Sequence, residues 1–471
     1  MVNNILLFVL YSLFICVFFY IAPVRFRKAV LLVASFSFYY FAAGYIIVLF
    51  CTEIAWSYFC SRRIISISID DSKRFARKLW MWVGIIPVAC ILVLYKSLDM
   101  LAYEIHCSEP ITVLLVPLGL SFSSLKLISY IVQVYGQRIR TCSLIDYALY
   151  VMIFTEIMSG PVSRPSDMIP CFGFYETSLS HIKARFEEGL FRVVVGLFKK
   201  LSIANRIAPY VDSVYRTYKD HSSLALFFCA ILYSIQIYAD FSGYSDIVIG
   251  VMHIIGIDIP ENFRAPYFAG SIRDFWKRWH ISLSEWLTDN IYIPLGGNRG
   301  SKVQRFINVI ITFLVSGFWH GNGIHYLVWG LGHGIFVGAS PKGKTSQRKV
   351  KLFIETVFTF LIVTILWIFF RSESVVNAID YIVHLFRYTP INASSIANTL
   401  LPFTNDDTCG VYALVVIAEI LIMSLYDWLI YERSDVIRKN KYLDAVFEVA
   451  FIMSIVLFGI NGESRFIYAQ F

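Results

Sequence analysis

Long apolar runs recur from one end of this chain to the other, and they limit what it can fold into. They lie near 4–22, 29–60, 79–96, 111–135, 144–158, 189–208, 223–239, 303–319, 324–339, 352–370, 411–430 and 445–460, with a weaker one at 241–256. Only 16% of the 471 residues are charged, against about 25% in soluble domains. Because backbone polar groups in lipid must be satisfied internally, the runs predict helices. The predicted fold class is an all-α polytopic membrane protein.

The polar loops between the runs predict the orientation of the chain. The segments 61–78, 340–351 and 431–442 are rich in Lys and Arg, and loops of this kind remain in the cytoplasm. The segments 97–110 and 371–409 carry few basic residues and are expected on the outer side. Counting spans from these loops places both termini on the extracytoplasmic side.

Neither the net charge of +8 nor the nine cysteines indicates another kind of site. The basic residues lie between the apolar runs, as in membrane loops, so the expected partner is lipid and not nucleic acid. The cysteines show no C-x-x-C pair and no metal-ligand spacing, so neither a disulfide framework nor a metal site is predicted. No linker or repeat divides the sequence. We therefore expect one integral membrane domain over 1–471, with an extracytoplasmic tail at 461–471.

Two polar segments differ from ordinary spans. The segment 238–246 contains Asp240 and Tyr244, and the segment 271–280 interleaves Lys and Arg with Phe and Trp. The composition of the segment 271–280 is typical of an amphipathic helix that lies in the headgroup layer or lines a polar opening. A plain interfacial helix without chemistry is the alternative. The glycine-rich loop at 293–300 lacks the G-K-[ST] of a phosphate cradle, which favours a tight turn.

His320 is the most specific candidate for a functional residue. It lies in the sequence Ser316-Gly-Phe-Trp-His-Gly-Asn-Gly323 between two apolar runs. A titratable side chain at membrane depth costs a few kcal/mol unless a partner or a water-filled cavity receives it. The neighbouring glycines allow a backbone or a ligand to approach closely. An imidazole titrates near neutral pH, so His320 is a candidate general base. The alternative is a structural histidine hydrogen-bonded to a neighbouring helix.

These motifs together resemble the membrane-bound O-acyltransferase (MBOAT) family. The matching elements are W-K-R-W-H-I-S-L-S-x-W-L (276–287), P-L-G-G-N-R-G (294–300), G-F-W-H-G (317–321), P-L-G-L-S-F (117–122), I-S-Y (128–130), E-I-M-S-G-P-V-S-R-P (156–165), D-F-S-G-Y-S-D (240–246) and E-N-F-R-A-P-Y (261–267). They span most of the chain in the order of the family. The intact glycine-rich loop and the ending R-F-I-Y-A-Q-F resemble the bacterial branch that O-acetylates exported polysaccharides such as alginate or peptidoglycan.

The resemblance implies an architecture and a donor. It implies a ring of about 11–13 transmembrane helices, with short interfacial or re-entrant helices, around a central tunnel. Acetyl-CoA is the expected acyl donor, entering from the cytoplasm, and no bound cofactor is expected. The expected location is the bacterial inner membrane. The expected partners are an extracytoplasmic SGNH-type acetyltransferase and a polysaccharide acceptor, which the acetyl group reaches directly or through that transferase.

The resemblance also implies roles for individual residues. His320 matches the catalytic histidine of the family and His280 the second histidine, which would orient the reactants or stabilise the oxyanion. Direct acylation of His320 is an alternative course. Tyr468 is a candidate acyl carrier, and the alternative is an aromatic tail that anchors in the headgroup layer. The residues expected to line the tunnel or bind substrate are Trp276, Arg278, Trp279, Ser284, Asn298, Arg299, Trp319, Asp240 and Tyr244.

Three other functions are open at this point. Within the same class, the chain could transfer D-alanine or another acyl group to teichoic acid. A transporter would also use polar residues within the membrane, although no matching pair of broken segments is visible in the two halves of the sequence. A structural scaffold of a secretion complex is the third.

Overall fold

The structure is a computed structural model that describes most of the chain. The described residues are 4–104, 117, 119–140, 142–157, 159–174, 178–321, 323–340, 349–387, 409–432 and 441–461. They form helices, turns and loops, and no strand occurs among them. The all-α prediction is therefore confirmed.

The α-helices are numbered in chain order. They are α1 (Ile5–Ile21), α2 (Arg27–Ala43), α3 (Ile47–Ser66), α4 (Arg74–Glu104), α5 (Leu120–Tyr135), α6 (Leu144–Met152), α7 (Pro165–Met168), α8 (Leu179–Leu197), α9 (Asn205–Arg216), α10 (Ser223–Ile255), α11 (Ile272–Phe275), α12 (Ile281–Leu287), α13 (Lys302–His320), α14 (Ile324–Ala339), α15 (Lys349–Arg371), α16 (Val375–Leu385), α17 (Cys409–Glu432) and α18 (Lys441–Phe458). Two π-helical segments, Phe198–Ala204 and Thr288–Tyr292, follow α8 and α12.

Five helical segments within the described residues are long and apolar enough to cross a membrane. They are Val24–Ser66, Asp71–Glu104, Ser223–Ile255, Lys349–Arg371 and Ala413–Glu432. Shorter apolar helices are Ile5–Ile21, Ile324–Ala339 and Val375–Leu385. These helices agree with a multi-pass membrane protein. The larger number of spans, the ring, the tunnel and the orientation remain predictions.

Four apolar runs differ in their boundaries from the helices that the structure shows. The run 29–60 is long enough for a tight hairpin, and it is broken at Gly44, which has φ +61° and ends α2. The runs 223–239 and 241–256 join in the single helix α10. The prediction of a helix throughout 144–158 is wrong, because α6 ends at Met152. The residues that follow it are fully buried, and non-helical backbone is tolerated where protein surrounds it.

The chain divides into two compact units. One contains the described residues up to Val193 together with Ser245–Glu261, and the other contains Val194–Tyr244 and the described residues from Asn262 onward. The expectation of one domain over 1–471 remains a prediction. Both candidate histidines lie in the second unit.

A buried ion pair lies within the first unit. Lys126 Nζ lies 2.8 Å from Glu156 Oε2, and both side chains are almost fully buried. Lys126 also donates to the carbonyl of Tyr150, and the Ser163 hydroxyl donates to Glu156. Because a buried charge is costly without a partner, Glu156 and Ser163 of the motif 156–165 form contacts with Lys126 and with each other that serve the packing of this unit.

Glycines bring α13 and α14 together in the second unit. A Cβ atom on Gly317 would lie 2.4 Å from the carbonyl oxygen of Tyr326, and one on Gly330 would lie 2.4 Å from that of Phe313. Side chains at these positions would separate the two backbones. The close approach predicted from the glycines beside His320 is therefore confirmed at Gly317.

We expect Gly330→Ala to destabilise the helix pair by about 1–3 kcal/mol, the usual cost of overpacking, because the new methyl group meets backbone. The measurement is the thermal unfolding midpoint in detergent. Gly332→Ala is the matched control on the same helix, since its Cβ would meet only Leu366 Cδ2, the end of a flexible side chain. Both changes gain the same helix propensity. Equal midpoints for the two variants would contradict the role given to Gly330.

Candidate active site

His320 ends α13 among aromatic rings. The residue is only 2% exposed. Its ring centroid lies 4.9 Å from that of Trp319, 5.2 Å from that of Trp329 and 5.7 Å from that of Phe370, each at a steep angle. Steep ring contacts of this kind are favourable. The imidazole is therefore held by packing from α13, α14 and α15.

His280 enters the same site from the start of α12. It has left-handed backbone angles, φ +43° and ψ +54°, and its side chain is fully buried. Its Nδ1 lies 3.1 Å from Asn262 Oδ1, and its ring stands at 89° to that of Phe241 at 4.6 Å. A non-glycine residue keeps such angles only where its surroundings enforce them. Burial lowers the pKa of His280, which lies outside the candidate membrane-spanning helices.

The two imidazoles are neighbours. Their ring centroids are 6.3 Å apart, and Trp319 contacts both rings. This separation is too long for a direct hydrogen bond between the rings, but one oxygen atom can bridge it. The two histidines singled out in the sequence therefore come together, as acid–base chemistry on a single hydroxyl requires.

A third histidine, which the sequence reasoning missed, lies beyond Trp329. His333 is fully buried on α14, and its ring is 5.0 Å from that of Trp329. The indole N–H of Trp276 donates to His333 Nδ1 at 3.1 Å. The spacing of Trp329 and His333, one helical turn apart within an apolar run, was the available signal, because polar residues inside a span mark functional sites.

The segment 271–280 does not form the amphipathic helix expected from its composition. Helix α11 is a single turn, Ile272–Phe275, and the chain then turns until His280. The reason is pairing with the segment before it, since Arg264 N donates to the carbonyl of Arg278 and Ile281 N donates to that of Asn262. This pairing brings His280 inward.

The side chains of this segment mostly contact the protein itself. Trp276 and Trp279 are buried, and the Trp279 ring packs against that of Trp367 at 5.1 Å. Arg278 forms ion pairs with Asp274 and Glu432. The cation and the two tryptophans are thus held in place by neighbours within the second unit.

The remaining predicted site residues lie in different surroundings. Ser284 makes a long hydrogen bond to the carbonyl of Trp279. Asn298 and Arg299 are exposed in the glycine-rich loop, which is a turn with positive φ at Gly296 and Gly297. The interpretation of this loop as a tight turn is therefore confirmed. Tyr468 lies outside the described residues.

Asp240 and Tyr244 are both buried on α10. Asp240 pairs with Lys200, and the adjacent Lys199 pairs with Asp427 at 3.0 Å. Both lysines belong to the π-helical segment Phe198–Ala204, and π-bulges are frequent at functional sites. Among the described residues, no group of three or more His, Cys, Asp or Glu side chains could hold a metal ion.

We expect Asp240→Asn to destabilise the protein by roughly 3–5 kcal/mol, because it removes the carboxylate that neutralises the buried Lys200. Thermal unfolding in detergent measures the effect. The double variant Lys200→Met/Asp240→Leu leaves no buried charge of this pair and should recover most of the loss. Lys219→Met is the control, since Lys219 is exposed where it pairs with Asp380, and a pair with an exposed partner contributes little. A wild-type unfolding midpoint for Asp240→Asn would disprove the structural role of the pair.

The comparison with known families decides the class of this protein. The sequence model of the membrane-bound O-acyltransferase family matches residues 64–383. The chain belongs to the membrane-bound O-acyltransferase family. It is therefore a multi-pass membrane O-acyltransferase, and the transporter and scaffold alternatives are not supported.

Named relatives come from more than one branch of the membrane-bound O-acyltransferases. The chain is 36% identical over 383 residues to the probable alginate O-acetylase AlgI of Pseudomonas syringae pv. tomato, covering 79% of this chain and 72% of the relative. It is 32% identical over 390 residues to the peptidoglycan O-acetyltransferase of Helicobacter pylori, covering 75% of this chain and 72% of the relative. A teichoic acid D-alanyltransferase of Bacillus subtilis is 26% identical over 232 residues, covering 47% of this chain and 58% of the relative.

Proposed function

We propose that this membrane-bound O-acyltransferase moves acetyl groups from cytoplasmic acetyl-CoA across the bacterial inner membrane, for the O-acetylation of an exported polysaccharide. The relatives that share at least 32% identity over most of the chain are named for acetylation of alginate or peptidoglycan. The teichoic acid D-alanyltransferase covers less than half of the chain at lower identity. Acetyl transfer is therefore favoured over transfer of D-alanine.

The observation that carries the proposal is the pair of neighbouring buried imidazoles, His280 and His320. In the proposed step the acceptor hydroxyl attacks the thioester carbonyl carbon. The C–O bond forms and the C–S bond breaks, while the hydroxyl proton passes to His320 and then to the departing CoA thiolate. The products are an acetyl ester and free CoA thiol.

His280 orients the reactants in this proposal or donates a hydrogen bond to the developing oxyanion. Direct acylation of His320 is an alternative course with the same overall reactants and products. The aromatic rings around His320 keep bulk water from the imidazole, which strengthens electrostatic interactions there. These features support a site built for acyl transfer.

The remaining parts of the proposal concern the outer side of the membrane. Tyr468 is proposed to receive the acetyl group as an ester and to pass it to an extracytoplasmic SGNH-type acetyltransferase, which modifies the polymer. This requires the tail 461–471 to be extracytoplasmic, as the basic loops predict. On the opposite, cytoplasmic side, the basic residues of the loops favour the approach of the anionic donor acetyl-CoA.

We expect His320→Ala to abolish acetylation of the polymer while leaving the protein in the membrane, because the proposed base is lost. The measurement is acetate released from the polymer by mild alkaline treatment, with membrane levels of the variant determined in parallel. His221→Ala is the control, since that histidine is half-buried and its Nε2 lies 3.0 Å from Thr217 Oγ1. Normal acetylation by His320→Ala would refute the assigned role. Release of D-alanine in place of acetate would identify the alternative substrate.

A further inference from the structure

Asn262 holds the ring of His280. The amide side chain is fully buried, and its Oδ1 lies 3.1 Å from His280 Nδ1. The same oxygen accepts a hydrogen bond from Ser282 Oγ at 2.8 Å and a longer one from the Ser282 backbone N–H. The backbone carbonyl of Asn262 accepts from the N–H of Ile281. Both the backbone and the side chain of Asn262 are therefore tied to the start of α12.

These contacts determine the tautomer of His280. The backbone N–H of Ser282 can only donate, so the Asn262 atom that it faces is the amide oxygen. An amide oxygen can only accept, and His280 Nδ1 must therefore donate and carry the proton. In a neutral imidazole with a proton on Nδ1, the other ring nitrogen, Nε2, carries a lone pair.

A lone pair on Nε2 limits what His280 can do in acyl transfer. An oxyanion needs hydrogen-bond donors, and Nε2 in this tautomer is an acceptor. A hydroxyl group, by contrast, has a proton to donate. A hydroxyl oxygen placed between rings whose centroids are 6.3 Å apart can turn its proton towards either imidazole.

We infer that Asn262 is a positioning residue that keeps His280 as a hydrogen-bond acceptor, so that His280 orients the acceptor hydroxyl and does not stabilise the oxyanion. This inference rests on the proposed function for its substrate, the acceptor hydroxyl. The hydroxyl donates first to His280 and then turns its proton to His320 as the C–O bond forms. The bonds made and broken are those of the proposed step, and the proton ends on the CoA thiol.

The first test reads the tautomer directly. Full-length protein labelled with ¹⁵N-histidine is purified in detergent, and the signals of His280 are assigned by their loss in His280→Gln. We expect a protonated Nδ1 and an unprotonated Nε2. A proton on Nε2 overturns the inference, whatever the activity of the protein.

The second test separates positioning from folding. Release of CoA thiol from acetyl-CoA is measured in membrane vesicles from cells that make the polymer. We expect Asn262→Leu to lower kcat about 10- to 100-fold, the effect of removing the partner that orients a metal-binding histidine, with KM for acetyl-CoA nearly unchanged. Asn262→Asp keeps an oxygen acceptor for Nδ1–H and should recover a large part of kcat.

Asn205→Leu is the matched control, because Asn205 is also a buried asparagine and its Nδ2 donates to the carbonyl of Ile460 at 2.8 Å. We expect wild-type kcat for this variant. An Asn262→Asp variant as slow as Asn262→Leu, or a loss that appears only in KM, overturns the positioning role. If the wild-type protein releases no CoA, the proposed function fails, and the ¹⁵N signals still decide whether His280 is an acceptor.

Discussion

The close contact between α13 and α14 is the constraint on which the candidate site depends. Gly317 and Gly330 each place a Cα where a side chain would strike the opposing backbone, so the two helices can meet without intervening side chains. This contact brings Trp329 against the ring of His320 at the end of α13. In a protein whose exterior faces lipid, backbone proximity of this kind replaces the hydrophobic drive that joins helices in water.

Buried charge is the second constraint, and the π-helical segment Phe198–Ala204 meets it by pairing. Lys199 and Lys200 are adjacent, and each has its own aspartate partner, Asp427 and Asp240. A π-helical segment adds a residue to the turn and so alters the directions in which adjacent side chains leave the helix. Because an unpaired ion in the interior costs several kcal/mol, this local change in helix type and the two ion pairs are best understood together.

The sequence could predict features that depend on composition and short-range spacing. The apolar runs indicated helices, and the glycines around His320 indicated close packing. The start of α12 could not be predicted in this way, because the turn at His280 depends on Asn262, eighteen residues earlier in the chain. The single turn of α11 is a similar case, since pairing with the segment at Arg264 overrides the helical pattern. Such tertiary contacts leave no periodic pattern in the amino-acid sequence.

Three of the buried histidines also show why residue identity alone does not assign chemistry. His280 meets an amide oxygen, which can only accept, and therefore carries its proton on Nδ1. His333 meets the indole N–H of Trp276, which can only donate, so a neutral His333 carries its proton on Nε2. His320 is held among aromatic rings. A proton donor and a proton acceptor thus arise from the same side chain, and the neighbour that each ring contacts decides which one it is.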